Sequence, residues 1–468
     1  MSRLVLAVSL FGLTAATAQD LGGPADAPPP APVPSLEDQL ADLRARLDEQ
    51  AAQLQSFHAA IGGSADPDEA RTLSRAGYVY DNGFVLQGQS TDGDRTFRMR
   101  INSWSQFRHT YFSSDGPTAD ENDFEFERLR FVMSGHVFTR SLTYFTQIDA
   151  DNDRAQALGV LDYFISYDAG AEWFGLDAGH FGIRAGEWKL PFLRSRRLSG
   201  QRLAFTERSM ATLFFDIDRS AGVGLYGEAD VWSRPLTWEF AMFNGFRTGS
   251  LRPGRTGDLD RNFGTSGRVF ADLFGEWGED SESDLVGHDE PAMRIGAAYA
   301  VGGVDAEGDA EFSRFRTVDT GAAVADVLPP GANHFLATLF SVDASFKYRG
   351  FSFIADYYWR LLSDFGPTPV DDLFDHGFLL HAGYFVVPQK LEMLSRWSRM
   401  VGDSSSLGAG HASADEIAFG AAYYIRGHNL KLVFDASHVN GAVLNEPNLN
   451  MRPGDIGWYY RTQFQLSF

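Results

Sequence analysis

The sequence predicts an all-β transmembrane protein, an antiparallel outer-membrane β-barrel of about sixteen strands. Three observations favour this fold class. Many segments of about ten residues alternate apolar and polar side chains, short and long connections alternate between them, and the N-terminus has the form of an export signal. The mean hydropathy of −0.22 is compatible with a membrane barrel, because a strand with one apolar and one polar face averages to neutral.

The N-terminal part of the chain predicts several segments ahead of the barrel. Arg3 precedes a short apolar run, and Ala16 and Ala18 form the small-x-small pattern of a signal peptidase site. Apolar residues from Leu36 to Phe57 recur at spacings of four and three, which predicts a short periplasmic coiled coil, with a lone amphipathic helix as the alternative. The predicted segments are a signal peptide over 1–18, a Pro-rich linker over 19–34, the coiled-coil helix over 35–60, a linker and barrel lead-in over 61–94, and the β-barrel over 95–468.

Composition and motifs exclude several classes of function. The chain has no Cys, so disulfides, thiol nucleophiles and thiolate metal sites are absent, and its net charge of −22 argues against nucleic acid as a partner. There is no His-Glu-x-x-His run and no Gly-x-Ser-x-Gly elbow, and the Asp-rich stretch 149–153 has Arg154 where a calcium loop needs Gly. We therefore expect no catalytic residues, no metal and no cofactor.

The strands follow from a period of two. In the first, Phe97, Met99 and Ile101 fall on one face, whereas Arg98 and Arg100 fall on the other. A soluble β-sandwich also alternates, but rows of Arg opposite aromatic residues are typical of a barrel that is apolar toward lipid and polar toward water. The predicted strands are 95–112, 124–139, 141–151, 159–168, 174–186, 221–231, 236–246, 264–274, 292–302, 336–348, 350–362, 374–387, 389–400, 414–426, 428–439 and 456–468.

The connections between these strands predict the topology. Tight turns alternate with long loops, which places the turns in the periplasm and the loops outside. The acidic stretch after 274 is an exception, since it is long yet falls on the periplasmic side; we interpret it as surface acidity facing divalent cations and lipopolysaccharide. Phe468 ends the last strand, which is typical of the signal read by the barrel-assembly machinery, and this strand must pair with the first to close the barrel.

Several motifs resemble the phosphate-selective porin family of the O and P type. The family shows a Gly-x-x-Lys-x-Pro-Phe segment, then Glu-Arg-Ser, then an Arg shortly before Gly-Val. In this chain these residues are Gly186, Lys189, Pro191, Phe192, Glu207, Arg208, Ser209, Arg219, Gly222 and Val223. The likeness covers roughly residues 78 to 468 and implies a sixteen-stranded, trimeric porin whose third loop folds into the lumen. Phosphate-selective members have a lysine-rich lower lumen, whereas this chain has Lys only at Lys189, Lys347, Lys390 and Lys431.

The third loop is the longest connection and the one clearly basic stretch. It is also rich in Leu and Phe, which suits a loop packed against the inner wall of a barrel. Guanidinium groups facing the channel attract anions and hold phosphate-like oxygens in pairs. Alternatively, some arginines of the loop pair with wall carboxylates and only brace the loop, and the arginines of the wall only neutralise Asp149, Asp162, Asp272, Asp343, Asp356 and Glu392. The candidate residues of the constriction and anion path are Lys189, Arg194, Arg196, Arg197, Arg202 and Arg208 in the loop and Arg98, Arg100, Arg128, Arg130, Arg268 and Arg294 on the wall.

The function predicted from these features is passive diffusion of small hydrophilic solutes and ions through an outer-membrane porin. We expect it to lean toward anions, with phosphate as one candidate solute, and to assemble as a homotrimer in contact with outer-membrane lipid and lipopolysaccharide. The alternative is a barrel that tethers the envelope through its coiled coil and transports little. An outer-membrane hydrolase is a third class, but the sequence offers no nucleophile and base for it.

Overall fold

The computed structural model describes residues 77–80, 83–90, 95–150, 158–231, 234–246, 260–306, 309–312, 314–318, 321–368, 370–403, 411–441 and 451–468. The predicted signal peptide, Pro-rich linker and coiled-coil helix lie outside these residues. No helix in this part of the chain is long and apolar enough to cross a membrane.

Sixteen antiparallel strands, β3 to β18, close into a barrel, and two short strands precede them. The barrel closes where β18 pairs with β3, from Gly457 opposite Ser114 to Ser467 opposite Trp104. The predicted fold class is therefore confirmed. The strands are β1 (Gly77–Tyr80), β2 (Phe84–Gln89), β3 (Thr96–Ser114), β4 (Glu121–His136), β5 (Leu142–Asp149), β6 (Gly159–Tyr167), β7 (Gly182–Lys189), β8 (Arg219–Val231), β9 (Arg234–Phe243), β10 (Gly264–Phe274), β11 (Ala292–Asp305), β12 (His334–Tyr348), β13 (Phe351–Gly366), β14 (Leu373–Val387), β15 (Leu391–Asp403), β16 (His411–Arg426), β17 (Leu430–Asn440) and β18 (Ile456–Ser467).

The two faces of the wall differ in polarity as the period of two requires. On β12, Phe340 and Val342 point outward and are 49% and 44% exposed, whereas Ser341 and Asp343 point inward and are buried. The exterior is therefore apolar, as it must be next to hydrocarbon, while the interior carries the charged residues.

Two strands before the barrel complete its seam. β3 is longer than β18, so its lower edge would lack a partner without a further strand. β2 pairs with that edge, from Phe84 opposite Ile101 to Gln89 opposite Thr96, and β1 pairs with β2. Phe468 ends directly above, where its backbone exchanges hydrogen bonds with Ser103 at 2.9 and 3.0 Å. The C-terminal strand and β2 thus share one edge of β3, which leaves few backbone groups unpaired at the seam.

Short helices lie in the connections. The first, α1, ends at Phe174, where a strand was predicted to begin, and the strand β7 begins only at Gly182. The Asp168 carboxylate accepts a hydrogen bond from the Ala171 N–H at 3.1 Å and caps α1, which favours a helix there over an extended chain. The helices are α1 (Ala169–Phe174), α2 (Arg194–Arg197), a 3₁₀ turn (Gly200–Arg202), α3 (Met210–Phe215), α4 (Asp309–Phe312) and α5 (Val324–Val327).

Candidate pore constriction

The third loop, residues 190–218, lies inside the barrel and crosses its lumen. It contains α2, the 3₁₀ turn and α3, and three of its four Phe residues, Phe192, Phe205 and Phe215, are no more than 1% exposed. A bare barrel of sixteen strands leaves an aqueous channel, so a loop packed across it narrows the passage. We call residues 190–218 loop L3.

Apolar packing holds the end of L3 against the wall. In α3 every side chain is buried, and the ring of Phe215 stacks on Tyr358 of β13 with centroids 5.3 Å apart. The Ser209 hydroxyl accepts a hydrogen bond from the Thr212 N–H at 3.1 Å and caps this helix. The same Ser209–Thr212 turn reaches Tyr358, whose hydroxyl lies 3.2 Å from the Thr212 hydroxyl.

Polar side chains of the wall hold the middle of L3. The Ser195 hydroxyl donates to Asp356 of β13 at 2.7 Å, and the Thr206 N–H donates to Asp435 of β17 at 3.1 Å. Because these partners stand on different strands, L3 is fixed from several sides of the lumen at once. It is therefore an internal element of the barrel and not a surface loop.

One buried carboxylate organises the arginines at the centre of L3. Glu207 pairs with Arg108 of β3 at 3.4 Å and with Arg128 of β4, and its carbonyl oxygen accepts a hydrogen bond from Arg396 of β15 at 2.6 Å. Burial by itself raises the pKa of Glu207, but the guanidinium groups of Arg128, Arg108 and Arg208 hold that pKa well below its usual value. Glu207 is thus an anionic centre among cations from the loop and the wall.

The predicted cations of L3, together with Lys189 at the end of β7, meet inside the barrel, and each contacts a carboxylate or a carbonyl oxygen. Lys189 donates to the carbonyl oxygens of Arg196 and Leu198, both at 2.9 Å, and Arg208 donates to that of Leu198 at 2.6 Å. The ion pairs of the others are Arg194 with Asp280 at 3.2 Å, Arg196 with Asp216 at 2.8 Å and also with Asp218, Arg197 with Glu239, and Arg202 with Glu279 at 2.5 Å.

The predicted cations of the wall all point into the lumen. Arg98 and Arg100 lie low on β3, opposite His136 and Ser134 of β4, and are half-buried. The other four contact carboxylates: Arg128 with Glu127 and Glu207, Arg130 with Asp149, Arg268 with Asp343 at 2.7 Å, and Arg294 with Asp272 at 2.6 Å. The pairs with Asp149, Asp272 and Asp343 each join two residues of the wall, so these three arginines neutralise wall carboxylates, which is one of the two alternatives that the sequence left open.

Further cations of the lumen, among them Arg108, Arg184 and Arg461, lie outside the predicted set of constriction residues. Arg108 is fully buried and donates to Glu127 of β4 at 2.9 Å, Arg461 is equally buried on β18, and Arg184 lies 4.8 Å from the centroid of the Phe164 ring. Arg108 shares the parity of Arg98 and Arg100, so the alternation of β3 was a signal for it. The same alternation puts Arg461 on the polar face of the terminal strand, and Arg184 lies within the strand predicted over 174–186.

Fold, exterior and lumen together define a transmembrane β-barrel with the architecture of a bacterial porin. The structure resembles an anion-selective porin from Comamonas acidovorans, with a TM-score of 0.52, 10% identity and coverage of 80% of this chain and 100% of that one. It also resembles the outer membrane channel DcaP of Acinetobacter baumannii, with a TM-score of 0.50, 10% identity and coverage of 81% and 99%. Salmonella typhi OmpF in complex with daunomycin matches with a TM-score of 0.49, 14% identity and coverage of 84% and 100%.

No protein-family model matches the chain, and no curated protein matches it. The likeness to solved structures therefore concerns the fold. A closed barrel of sixteen strands that is apolar outside and charged inside is a membrane-spanning structure of the bacterial outer membrane, and this is where the chain resides.

Proposed function

We propose that this chain forms a water-filled channel through which small hydrophilic solutes and ions diffuse passively, with a weak preference for anions. The observation that carries the proposal is L3, a basic loop buried within a closed barrel of sixteen strands. Over residues 187–220 the chain has seven Lys and Arg against four Asp and Glu, a net charge of 7 − 4 = +3. Charge of one sign lining a narrow passage focuses the field and favours ions of the other sign.

The exposure of the lumen cations to water supports one side of the barrel as the path of the anions. The inward side chains of β12 to β17 are mostly buried, so little water reaches that half of the wall. On the other half the side chains of Arg184, Arg197 and Arg202 are 21%, 25% and 30% exposed, and Arg98 and Arg100 are half-buried. We propose that anions pass along β3 to β9, where these guanidinium groups are reachable from water.

Phosphate is a candidate solute, because a guanidinium group offers two parallel N–H donors to a tetrahedral anion. The many carboxylate partners of the arginines favour a weak preference over tight binding, since a paired guanidinium has fewer free donors. We therefore place phosphate among several small anions that share the path.

Assembly as a homotrimer is part of the proposal. The predicted coiled coil supports it, and so do the short strands β5, β6 and β7, which have 8, 9 and 8 residues. A tilted strand needs about 9–11 residues to cross the hydrocarbon. A second copy of the chain packed against these short strands would shield this part of the wall from lipid. Exposed Phe468 remains a candidate contact for the barrel-assembly machinery.

Conductance in planar bilayers tests the proposal. We expect stepwise, ohmic channels whose reversal potential in a tenfold KCl gradient lies on the anion side. The double substitution Arg197→Gln/Arg202→Gln should move the reversal potential toward zero, because it removes two of the reachable cations. Arg140→Gln/Arg349→Gln makes the same charge change in exposed periplasmic turns and should leave it unchanged.

The outcomes separate the parts of the proposal. A protein that inserts but never conducts would favour the envelope-tethering role. A channel that prefers cations would leave diffusion in place and overturn the anion preference, and a protein that runs as a monomer after mild detergent extraction would overturn the trimer.

A further inference from the structure

The long connection between β10 and β11, residues 275–291, folds into the lumen from the periplasmic end. It holds seven Asp and Glu and no Lys or Arg, a net charge of −7. The residues at its centre, Ser281 to Asp284, are only 1–6% exposed. Two of its seven carboxylates, Glu282 and Asp284, are therefore buried inside the barrel, and the interpretation of this stretch as surface acidity is wrong for these central residues. We call residues 275–291 the acidic plug.

The acidic plug rests directly on L3. Its Asp280 carboxylate accepts a hydrogen bond from Arg194 at 3.2 Å, and its Glu279 carboxylate lies 2.5 Å from the Arg202 guanidinium. Glu282 accepts a hydrogen bond from the N–H of Ala204 at 2.8 Å. Two charged contacts and one backbone contact thus join the acidic connection to the basic loop.

The wall holds the acidic plug from the side away from L3. Lys347 of β12 donates to the carbonyl oxygen of Glu279 at 2.9 Å and lies 4.4 Å from the centroid of the Trp277 ring. The Ser283 hydroxyl donates to Glu392 of β15 at 2.8 Å and lies 2.8 Å from the hydroxyl of Tyr424. These partners fix the acidic plug inside the barrel at several points, so its burial is a built feature of the fold.

The base of the acidic plug is narrow. Gly275 has φ +68°, and a Cβ there would lie 2.3 Å from the carbonyl oxygen of Pro291, which closes the connection at its other end. Only glycine allows this close approach of the two backbone segments. The end of β10 and the start of β11 therefore lie in direct contact at the base of the acidic plug.

We propose that the acidic plug is a second constriction of the channel and determines its charge selectivity by neutralising the arginines of L3. This inference rests on the proposed function and deepens it. L3 with its flanking residues carries +3, and Glu279 and Asp280 set two negative charges directly against it, which leaves +3 − 2 = +1. Glu279 and Asp280 both pair with arginines of L3 and face water, with side chains 46% and 51% exposed. Because these two carboxylates partly neutralise the arginines of L3, the channel prefers anions only weakly.

Two matched double variants test the selectivity. Glu279→Gln/Asp280→Asn removes the two reachable carboxylates, and the new amides can still accept hydrogen bonds from Arg202 and Arg194. We expect the anion-to-cation permeability ratio to rise by about two- to fivefold, as expected for charge removed from a narrow passage. Asp289→Asn/Glu290→Gln makes the same charge change at exposed positions of the same segment and should leave the ratio unchanged.

A third variant tests the narrowing itself. Replacing residues 279–285 by a short Gly-Ser link should raise the single-channel conductance, because it empties the space beside L3. Folding is checked by the heat-dependent migration of the barrel on SDS gels. If this variant does not fold, the two double variants still decide the matter.

The results distinguish this inference from the proposed function. If the unmodified protein forms no channels, the proposed function itself fails. If it conducts and both double variants have its permeability ratio, or both shift equally, only the role of the acidic plug is overturned.

Discussion

L3 and the acidic plug enter the same lumen from opposite ends and are held there by different forces. L3 comes from the end of the barrel with the long loops, the predicted extracellular end, and buries Phe192, Phe205 and Phe215. The acidic plug comes from the opposite end and buries mainly polar groups, with Trp277 as its one fully covered ring. A connection can therefore fill a barrel either because its apolar side chains leave water or because its charges find partners of opposite sign inside.

Apolar burial and charge pairing differ in the free energy that each contributes to holding a connection inside the barrel. Burying one large apolar side chain contributes about 1.5–3 kcal/mol, whereas an ion pair that remains partly in water contributes about 0–1 kcal/mol. The pair of Arg202 with Glu279 is of the second kind, with both side chains at least 30% exposed. We therefore expect L3 to stay docked in the lumen under conditions in which the acidic plug already detaches from it.

The largest effect is expected from the apolar anchor of L3. Phe215→Ala removes a ring that is fully buried and stacked on Tyr358, which typically costs about 3–5 kcal/mol. Amide hydrogen exchange of residues 210–215, measured by mass spectrometry in detergent, should accelerate by about 100-fold or more, since each 1.4 kcal/mol is about tenfold.

The matched control for this change is Phe340→Ala, which removes a ring from the outer face of β12. It should leave the exchange of L3 unaltered. Equal protection of L3 in Phe215→Ala and the unmodified protein would show that its packing does not hold the loop in place.

An intermediate effect is expected from acid. Burial raises the pKa of Asp280, but Arg194 and Arg294 more than offset this and hold the pKa below its usual value. A carboxyl with a lowered pKa stabilises the docked state above about pH 4 and loses this contribution as the pH falls through the lowered value. On acidification the acidic plug should loosen, and the anion preference of the channel should rise.

Reversal potentials recorded from about pH 6 to pH 3 measure this effect. Other carboxylates also titrate in that range, so the informative quantity is the difference between the unmodified protein and Asp280→Asn. The variant should show the flatter curve. Two superimposable curves would mean that Asp280 does not control the selectivity.

The smallest effect is expected from a single exposed pair. Arg202→Gln removes the partner of Glu279 and should lower the stability of the docked acidic plug by less than about 1 kcal/mol. Hydrogen exchange of residues 279–285 should rise slightly at low salt. At about 1 M salt, where the Debye length is about 3 Å, the unmodified protein and the variant should be alike. A large effect that persists in high salt would mean that Arg202 holds the plug by packing.

Much of the barrel was predictable because alternation is a local property. The strand over 264–274 was predicted with the bounds that the structure has for β10, and closure through the terminal strand followed from the need to satisfy every backbone group in lipid. The strands β1 and β2 were missed because the contact that stabilises them lies elsewhere in the chain, at the lower edge of β3 that β18 does not cover. No pattern within their own short sequences indicates that edge.

The charged residues of the lumen were also predictable only in part. By itself the sequence determined which face each side chain takes, because residues two apart on a strand share a face; Arg268 and Arg294 therefore point inward as predicted. Only the tertiary structure decided which carboxylate each arginine meets, and that the acidic connection after β10 turns into the lumen. A charge is stable in a buried site only next to its partner, and here the partners of residues 279–280 stand some eighty residues earlier in the chain.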